Sequence, residues 1–245
     1  MNIEIDIINR SKKGEKMWAI LIDPDKVTFS DLPKLCTYIN TSSCDYVLVG
    51  SSLINNDTFD KCIIELSFCL QKPILIFPGN KSQISPKADG ILLLSLISGR
   101  NPDLLIGQHV QSSFALKRSG LCILPTGYIL VEGGSMTSAQ YMSNTIPIPK
   151  NKYDIGSATA LAGVQLGLKF IYMDAGSGAD FPINPSMIKA VKKEITVPLF
   201  VGGGIKNQVQ IEKAWIAGAD IVVVGNAIEQ NNSLILNLNS QLKCN

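Results

Sequence analysis

The sequence predicts an α/β chain folded as one (β/α)8 TIM barrel spanning residues 1–245. Three observations predict it. Short apolar runs recur along the whole chain and alternate with segments of helical spacing. The length, 245 residues, is close to the ~250 typical of a one-domain barrel. Glycine-bearing turns gather after the late runs, whereas a doubly wound sheet usually carries such a turn after its first strand. Here the first run ends in Asp23-Pro24-Asp25 instead.

The strands are expected at 17–22, 46–49, 73–77, 90–94, 128–131, 169–173, 198–201 and 220–224. Each is too short for a buried helix, rich in apolar residues and bounded by Gly, Pro, Asp or Asn. Parallel strands covered on both faces read this way. Helices are expected at 30–40, 57–70, 102–118, 154–166, 185–194, 208–217 and 233–242, where apolar residues recur at three- and four-residue spacing. Asn184-Pro185 places a cap before a proline at a first helical position. Gly167 and Gly218 follow helix ends, where a left-handed residue favours glycine. Two connections break the pattern. The 79–89 link is too short for an outer helix, so the barrel is expected to be irregular near its third helix. The 131–169 connection is long, and its first half has no clear period; such loops are usually functional.

Composition excludes several classes. The formal charge is +2 with 17% charged residues, too weak a balance for a nucleic-acid footprint. Lys189, Lys192 and Lys193 read as the solvated face of one helix. No secretory h-region is visible in the first fifteen residues, and no apolar run reaches the ~18 residues of a membrane span. The expectation is a cytoplasmic protein. The cysteines Cys36, Cys44, Cys62, Cys69, Cys122 and Cys244 form no C-x-x-C pair, and His109 is the only histidine. Zinc or disulfide chemistry is therefore not expected; scattered cysteines usually behave as small hydrophobes.

Chemistry concentrates in two places. Asp174-Ala175-Gly176-Ser177-Gly178, Gly202-Gly203-Gly204 and Gly225-Asn226 follow three successive late strands. Phosphate is held well by main-chain N–H groups that approach closely, and glycine leaves room for this. In TIM barrels the turns after the seventh and eighth strands often form such a site. One such turn is ordinarily only a turn; three in these places favour phosphate. The second place joins Asp23 and Asp25, after the first strand, with Ser51 and Ser52, after the second. Hard oxygens of this kind suit Mg²⁺, although Asp23-Pro24-Asp25 could equally be a capped turn. Among the other residues, His109 is expected on the surface or at an interface. Glu132 could line the pocket or cap the loop that follows it. Trp18 and Trp215 read as core or helix-packing residues.

The chain resembles the geranylgeranylglyceryl phosphate synthases and related bacterial prenyl-glycerol-phosphate synthases over nearly its whole length. The resemblance is carried by Leu21-Ile22-Asp23-Pro24-Asp25-Lys26, Val49-Gly50-Ser51-Ser52, Pro125-Thr126-Gly127-Tyr128-Ile129-Leu130-Val131-Glu132, Asp154-Ile155-Gly156-Ser157-Ala158-Thr159-Ala160-Leu161-Ala162-Gly163, Ile171-Tyr172-Met173-Asp174-Ala175-Gly176-Ser177-Gly178-Ala179, Val201-Gly202-Gly203-Gly204-Ile205-Lys206 and Gly225-Asn226. It implies Mg²⁺-dependent transfer of a polyprenyl group, expected to be geranylgeranyl, from its diphosphate to sn-glycerol 1-phosphate. The product is an ether, a step of phospholipid biosynthesis. It also implies Mg²⁺ at Asp23 and Ser52. Glycerol phosphate is implied at Tyr172, Met173, Asp174, Ala175, Gly176, Ser177, Gly178, Gly203, Gly204, Gly225 and Asn226. Asp23 and Asp174 are the catalytic residues on this reading. The family's run usually has Glu where this chain has Asp174, one methylene shorter. Segment 131–152 is the expected lid or wall. A homo-oligomer is expected because soluble enzymes commonly associate symmetrically. The alternatives are another phosphate-binding barrel isomerase or synthase, and a catalytically weak ligand-binding barrel.

Overall fold

The computed structural model describes residues 2–54, 58–230 and 235. Among them, eight parallel strands close into a barrel in chain order. They are β1 (Met17–Ile22), β2 (Tyr46–Val49), β3 (Ile74–Ile76), β4 (Gly90–Leu96), β5 (Cys122–Leu130), β6 (Phe170–Asp174), β7 (Leu199–Gly202) and β8 (Ile221–Val224). Pairing of Met17 with Ile221 through Ile20 with Val224 closes the ring.

Alternation along each strand divides the core. Trp18, Ile20, Ile171, Met173, Val222 and Val224 pack outward against the helices. Met17, Ala19, Phe170, Tyr172, Phe200 and Val223 fill the barrel. Because side chains alternate with period two, the inward register Phe170, Tyr172 continues to Asp174 at the end of β6. The same register brings Tyr128 inward on β5.

The helices are α1 (Ile3–Lys12), α2 (Leu32–Thr41), α3 (Phe59–Cys69), α4 (Gln108–Ser119), α5 (Ser138–Ser143), α6 (Tyr153–Gln165), α7 (Pro185–Glu194), α8 (Gln208–Ala217) and α9 (Asn226–Gln230). α7 and α8 start and stop where their caps predict: Asn184 accepts from Ser186 N at 2.9 Å, and Gly218 has φ +118°. No helix separates β3 from β4, as the short link requires. A π-helical stretch, Asp103–Gly107, precedes α4. Of the helix expected at 233–242, only Ile235 lies within the described residues; it is helical and buried.

Four expectations are corrected. α1 was not foreseen. It inserts Ile3 and Ile7 into the inner core, and its Asp6 accepts from Tyr46 Oη at 2.6 Å. β5 begins at Cys122, six residues early; Pro125 lacks an N–H, but its carbonyl still accepts from Lys169 N at 3.0 Å. Cys36 and Cys69 form a disulfide between α2 and the end of α3. Side-by-side packing of outer helices makes that pair, and no sequence spacing encodes it. Lys192 is not simply solvated, because its Nζ lies 2.6 Å from Asp220 Oδ2. Both tryptophans pack as expected: Trp18 is buried, and Trp215 Nε1 donates to Met17 O at 2.9 Å. No helix among the described residues is long and apolar enough to cross a membrane.

Candidate active site

A cavity of about 670 Å³ opens at the C-terminal ends of the strands. The three late turns form one wall of it. Gly176, Gly178, Gly203 and Gly204 all have positive φ, between +69° and +92°, a region costly for side-chain-bearing residues. Ser177 Oγ donates to Asn226 Oδ1 at 2.7 Å and ties the first turn to the third. Of the residues expected to hold glycerol phosphate, Tyr172, Asp174, Gly176, Ser177, Gly178, Gly203, Gly204, Gly225 and Asn226 line the cavity. Met173 does not. It points outward into the helix-packed core, because it alternates with Tyr172 and Asp174. Ala175 is buried in that same outer core.

Asp174 ends β6 against this wall and is 6% exposed. Its Oδ2 accepts from Tyr128 Oη at 2.5 Å, and its Oδ1 accepts from Gly176 N at 2.7 Å. Burial pushes its carboxyl above the usual range, and the two hydrogen bonds pull partly the other way. Burial and the neighbouring Asp174 charge hold the Tyr128 phenol well above its ordinary value, so it stays protonated. Tyr172 is stacked between Phe77 and Phe200, at centroid distances of 5.0 and 5.7 Å.

The early strands supply the facing wall, with Asp23, Asp25, Lys26, Gly50, Ser51 and Ser52. The hydroxyl that meets Asp23 is that of Ser51, which donates to Oδ2 at 3.1 Å. Ser52 lines the cavity one residue further on. Lys26 Nζ sits 3.5 Å from Asp23 Oδ2 and 2.9 Å from Glu229 Oε2. Burial alone would lower the Lys26 ammonium, but Glu229 and then Asp23 hold it above its ordinary value. Lys26 and Glu229 were missed in the sequence, where nothing marks residues 203 positions apart as partners.

A second cavity, of about 260 Å³ and mainly apolar, adjoins the first. It lies beside β4, between α4 and the link that joins β3 to β4. Leu93, Leu94, Leu104, Leu116, Ile84 and Ile91 line it. His109 faces this cavity rather than solvent, because α4 turns that side toward the barrel. Its Nε2 lies 3.2 Å from Ser95 Oγ, and burial lowers its pKa, favouring the neutral ring. Segment 131–152 forms a wall: Ala139, Met142 and Ser143 of and around α5 line the apolar cavity. Glu132 takes the capping role, accepting from Lys150 N at 3.2 Å.

Fold and cavity together define the class, a (β/α)8-barrel enzyme with its site on the βα turns. The chain belongs to the PcrB family, whose family model matches residues 9–241. It is 49% identical over 231 residues to the geranylgeranylglyceryl phosphate synthase of Chitinophaga pinensis, covering 93% of this chain and 90% of that protein. It is 36% identical over 228 residues to the protein of the same name from Thermococcus gammatolerans, covering 93% and 90%. The crystal structure of (S)-3-O-geranylgeranylglyceryl phosphate synthase from Thermoplasma acidophilum, in complex with substrate sn-glycerol-1-phosphate, superposes with a TM-score of 0.92 at 26% identity. That match covers 99% of this chain and 98% of the other.

Proposed function

We propose that this enzyme transfers a geranylgeranyl group from its diphosphate to sn-glycerol 1-phosphate, forming an ether bond with the help of Mg²⁺. One observation carries the reading. A glycine-walled polar cavity and an apolar cavity share Ser51, Ser52, Leu53, Phe77, Tyr128 and Ala139. Two unlike ligands, one anionic and compact and the other a long hydrocarbon, can therefore meet at one boundary.

The glycine turns of β6, β7 and β8 hold the phosphate, and the free terminal hydroxyl of the glycerol points toward the boundary. The prenyl tail lies along β4 and α4. Holding both substrates converts a bimolecular step into an effectively unimolecular one. Asp174 is the final proton acceptor, placed by its bonds to Tyr128 and Gly176. The apolar wall and α5 exclude water from a developing allylic cation.

The donor set fits Mg²⁺. Asp23 presents a carboxylate beside the Ser51 hydroxyl, with Ser52 and Asp25 on the same wall. Among the described residues no group of three His, Cys, Asp or Glu forms an all-protein cage. Magnesium commonly uses one or two carboxylates and completes its shell with substrate phosphates and water. When bound, it neutralises charge on the departing diphosphate.

We also read the enzyme as a homo-oligomer. Ile106, Val110 and Phe114 are exposed at four-residue spacing, along one side of the π-helical stretch and α4. Light scattering at micromolar concentration tests this: a dimer or larger species supports it, and a monomer contradicts it.

The reaction is tested by incubating the enzyme with labelled sn-glycerol 1-phosphate, Mg²⁺ and prenyl diphosphates of increasing length. Solvent-extractable labelled ether supports the reading. Bound but unreacted substrates would favour a ligand-binding barrel.

A further inference from the structure

We infer that Tyr128 is a catalytic residue that relays the proton of the attacking hydroxyl to Asp174. The inference rests on the prenyl-transfer reading above and adds a residue to it.

Asp174 does not line the apolar cavity. Its oxygens each accept one hydrogen bond, Oδ1 from Gly176 N at 2.7 Å and Oδ2 from Tyr128 Oη at 2.5 Å. It lines the polar cavity alone, whereas Tyr128 lines both cavities. The bond must form where the two cavities meet, and the phenol stands there. A tyrosine hydroxyl donates one hydrogen bond and can accept others. The Tyr128 donor is spent on Asp174, so its lone pairs are left for a substrate hydroxyl. The ring is held for this task. Phe77 and Tyr172 pack edge-on against it at 5.8 and 5.7 Å, and its inward register on β5 is fixed by pairing with Tyr172 across the barrel wall. A short aspartate at the end of β6 therefore reaches the reacting centre through the phenol.

The step balances. The glycerol oxygen bonds to the allylic carbon, and the carbon–oxygen bond to diphosphate breaks with its electron pair leaving on diphosphate. The hydroxyl proton passes to Tyr128 Oη as the Tyr128 proton passes to Asp174 Oδ2. Tyr128 ends neutral, and Asp174 ends protonated.

The test compares Tyr128→Phe with the double variant Tyr128→Phe, Asp174→Glu. Positioned proton transfer contributes ~10²–10⁴-fold. Tyr128→Phe should therefore lose at least ~100-fold in kcat, while KM for glycerol 1-phosphate changes little and the variant remains folded. In the double variant the longer carboxylate reaches the hydroxyl directly, and kcat should recover at least ~10-fold. On the unsubstituted enzyme, a single-turnover proton inventory should be curved, because two protons move together. Activity of Tyr128→Phe within ~3-fold of the parent, a double variant no better than the single, or a linear inventory would overturn the relay. If the parent enzyme makes no ether at all, the prenyl-transfer reading falls instead.

Discussion

Gly203 lies directly on the turn that carries Asp174: a Cβ at Gly203 would stand 2.6 Å from Gly176 N and 2.7 Å from Asp174 Oδ1. The β6 and β7 turns thus touch main chain to carboxylate, with no room for a side chain. Gly203 also has φ +81°. Gly203→Ala should cost ~1–3 kcal/mol in stability through backbone strain and weaken glycerol 1-phosphate binding at least ~10-fold. Calorimetric titration and thermal melting check both. Unchanged affinity would place the phosphate elsewhere.

Asp23 faces that cradle across the cavity. Asp23→Asn should remove Mg²⁺-dependent binding of prenyl diphosphate and leave glycerol 1-phosphate affinity intact, because Asp23 and the glycine turns line opposite walls of the cavity. Undiminished Mg²⁺-dependent turnover in this variant would remove the metal assignment.

Ser112 is 7% exposed and lines the apolar cavity beside Leu116. Ser112→Phe should shorten the space for the tail. A C10 diphosphate should remain a substrate, while C20 loses at least ~10-fold in kcat/KM. A uniform loss across all lengths would mean that the tail does not lie along α4.

The Asp174 carboxyl titrates above its ordinary 3.8 because it is buried. As the proposed proton acceptor it would need to be ionised, so kcat should fall as pH drops through that raised value. The folded state also holds the proton more tightly than the unfolded state does. Stability contributed by protonated Asp174 is therefore lost as pH rises from 3.8 through the folded-state value. Asp174→Asn should accordingly melt no lower than the parent at pH 7 while losing turnover. A marked drop in melting temperature would show that the ionised group stabilises the fold.

Much of this architecture is legible in the sequence. β1, β2, α7 and α8 match their expected limits because apolar runs, caps and glycines coincide there. The late glycine turns and Asp23 were legible too, since strand-end glycines and carboxylates are local signals. α1 was not. It offers two deeply buried residues, Ile3 and Ile7, on a helix otherwise held by polar contacts such as Asp6 with Tyr46. Tyr128 reads as one more strand residue, and its partner Asp174 lies 46 positions away. His109 reads as exposed because the empty space beside β4, which it faces, is a property of the closed barrel.

The most direct measurement follows an oxygen atom. Glycerol 1-phosphate labelled with ¹⁸O in its terminal hydroxyl is incubated with Mg²⁺ and geranylgeranyl diphosphate, and the products are weighed by mass spectrometry. The account predicts the label in the lipid ether and none in the released diphosphate. Ether lacking the label, or prenyl alcohol as the sole organic product, would contradict attack by an anchored glycerol hydroxyl at the boundary of the two cavities.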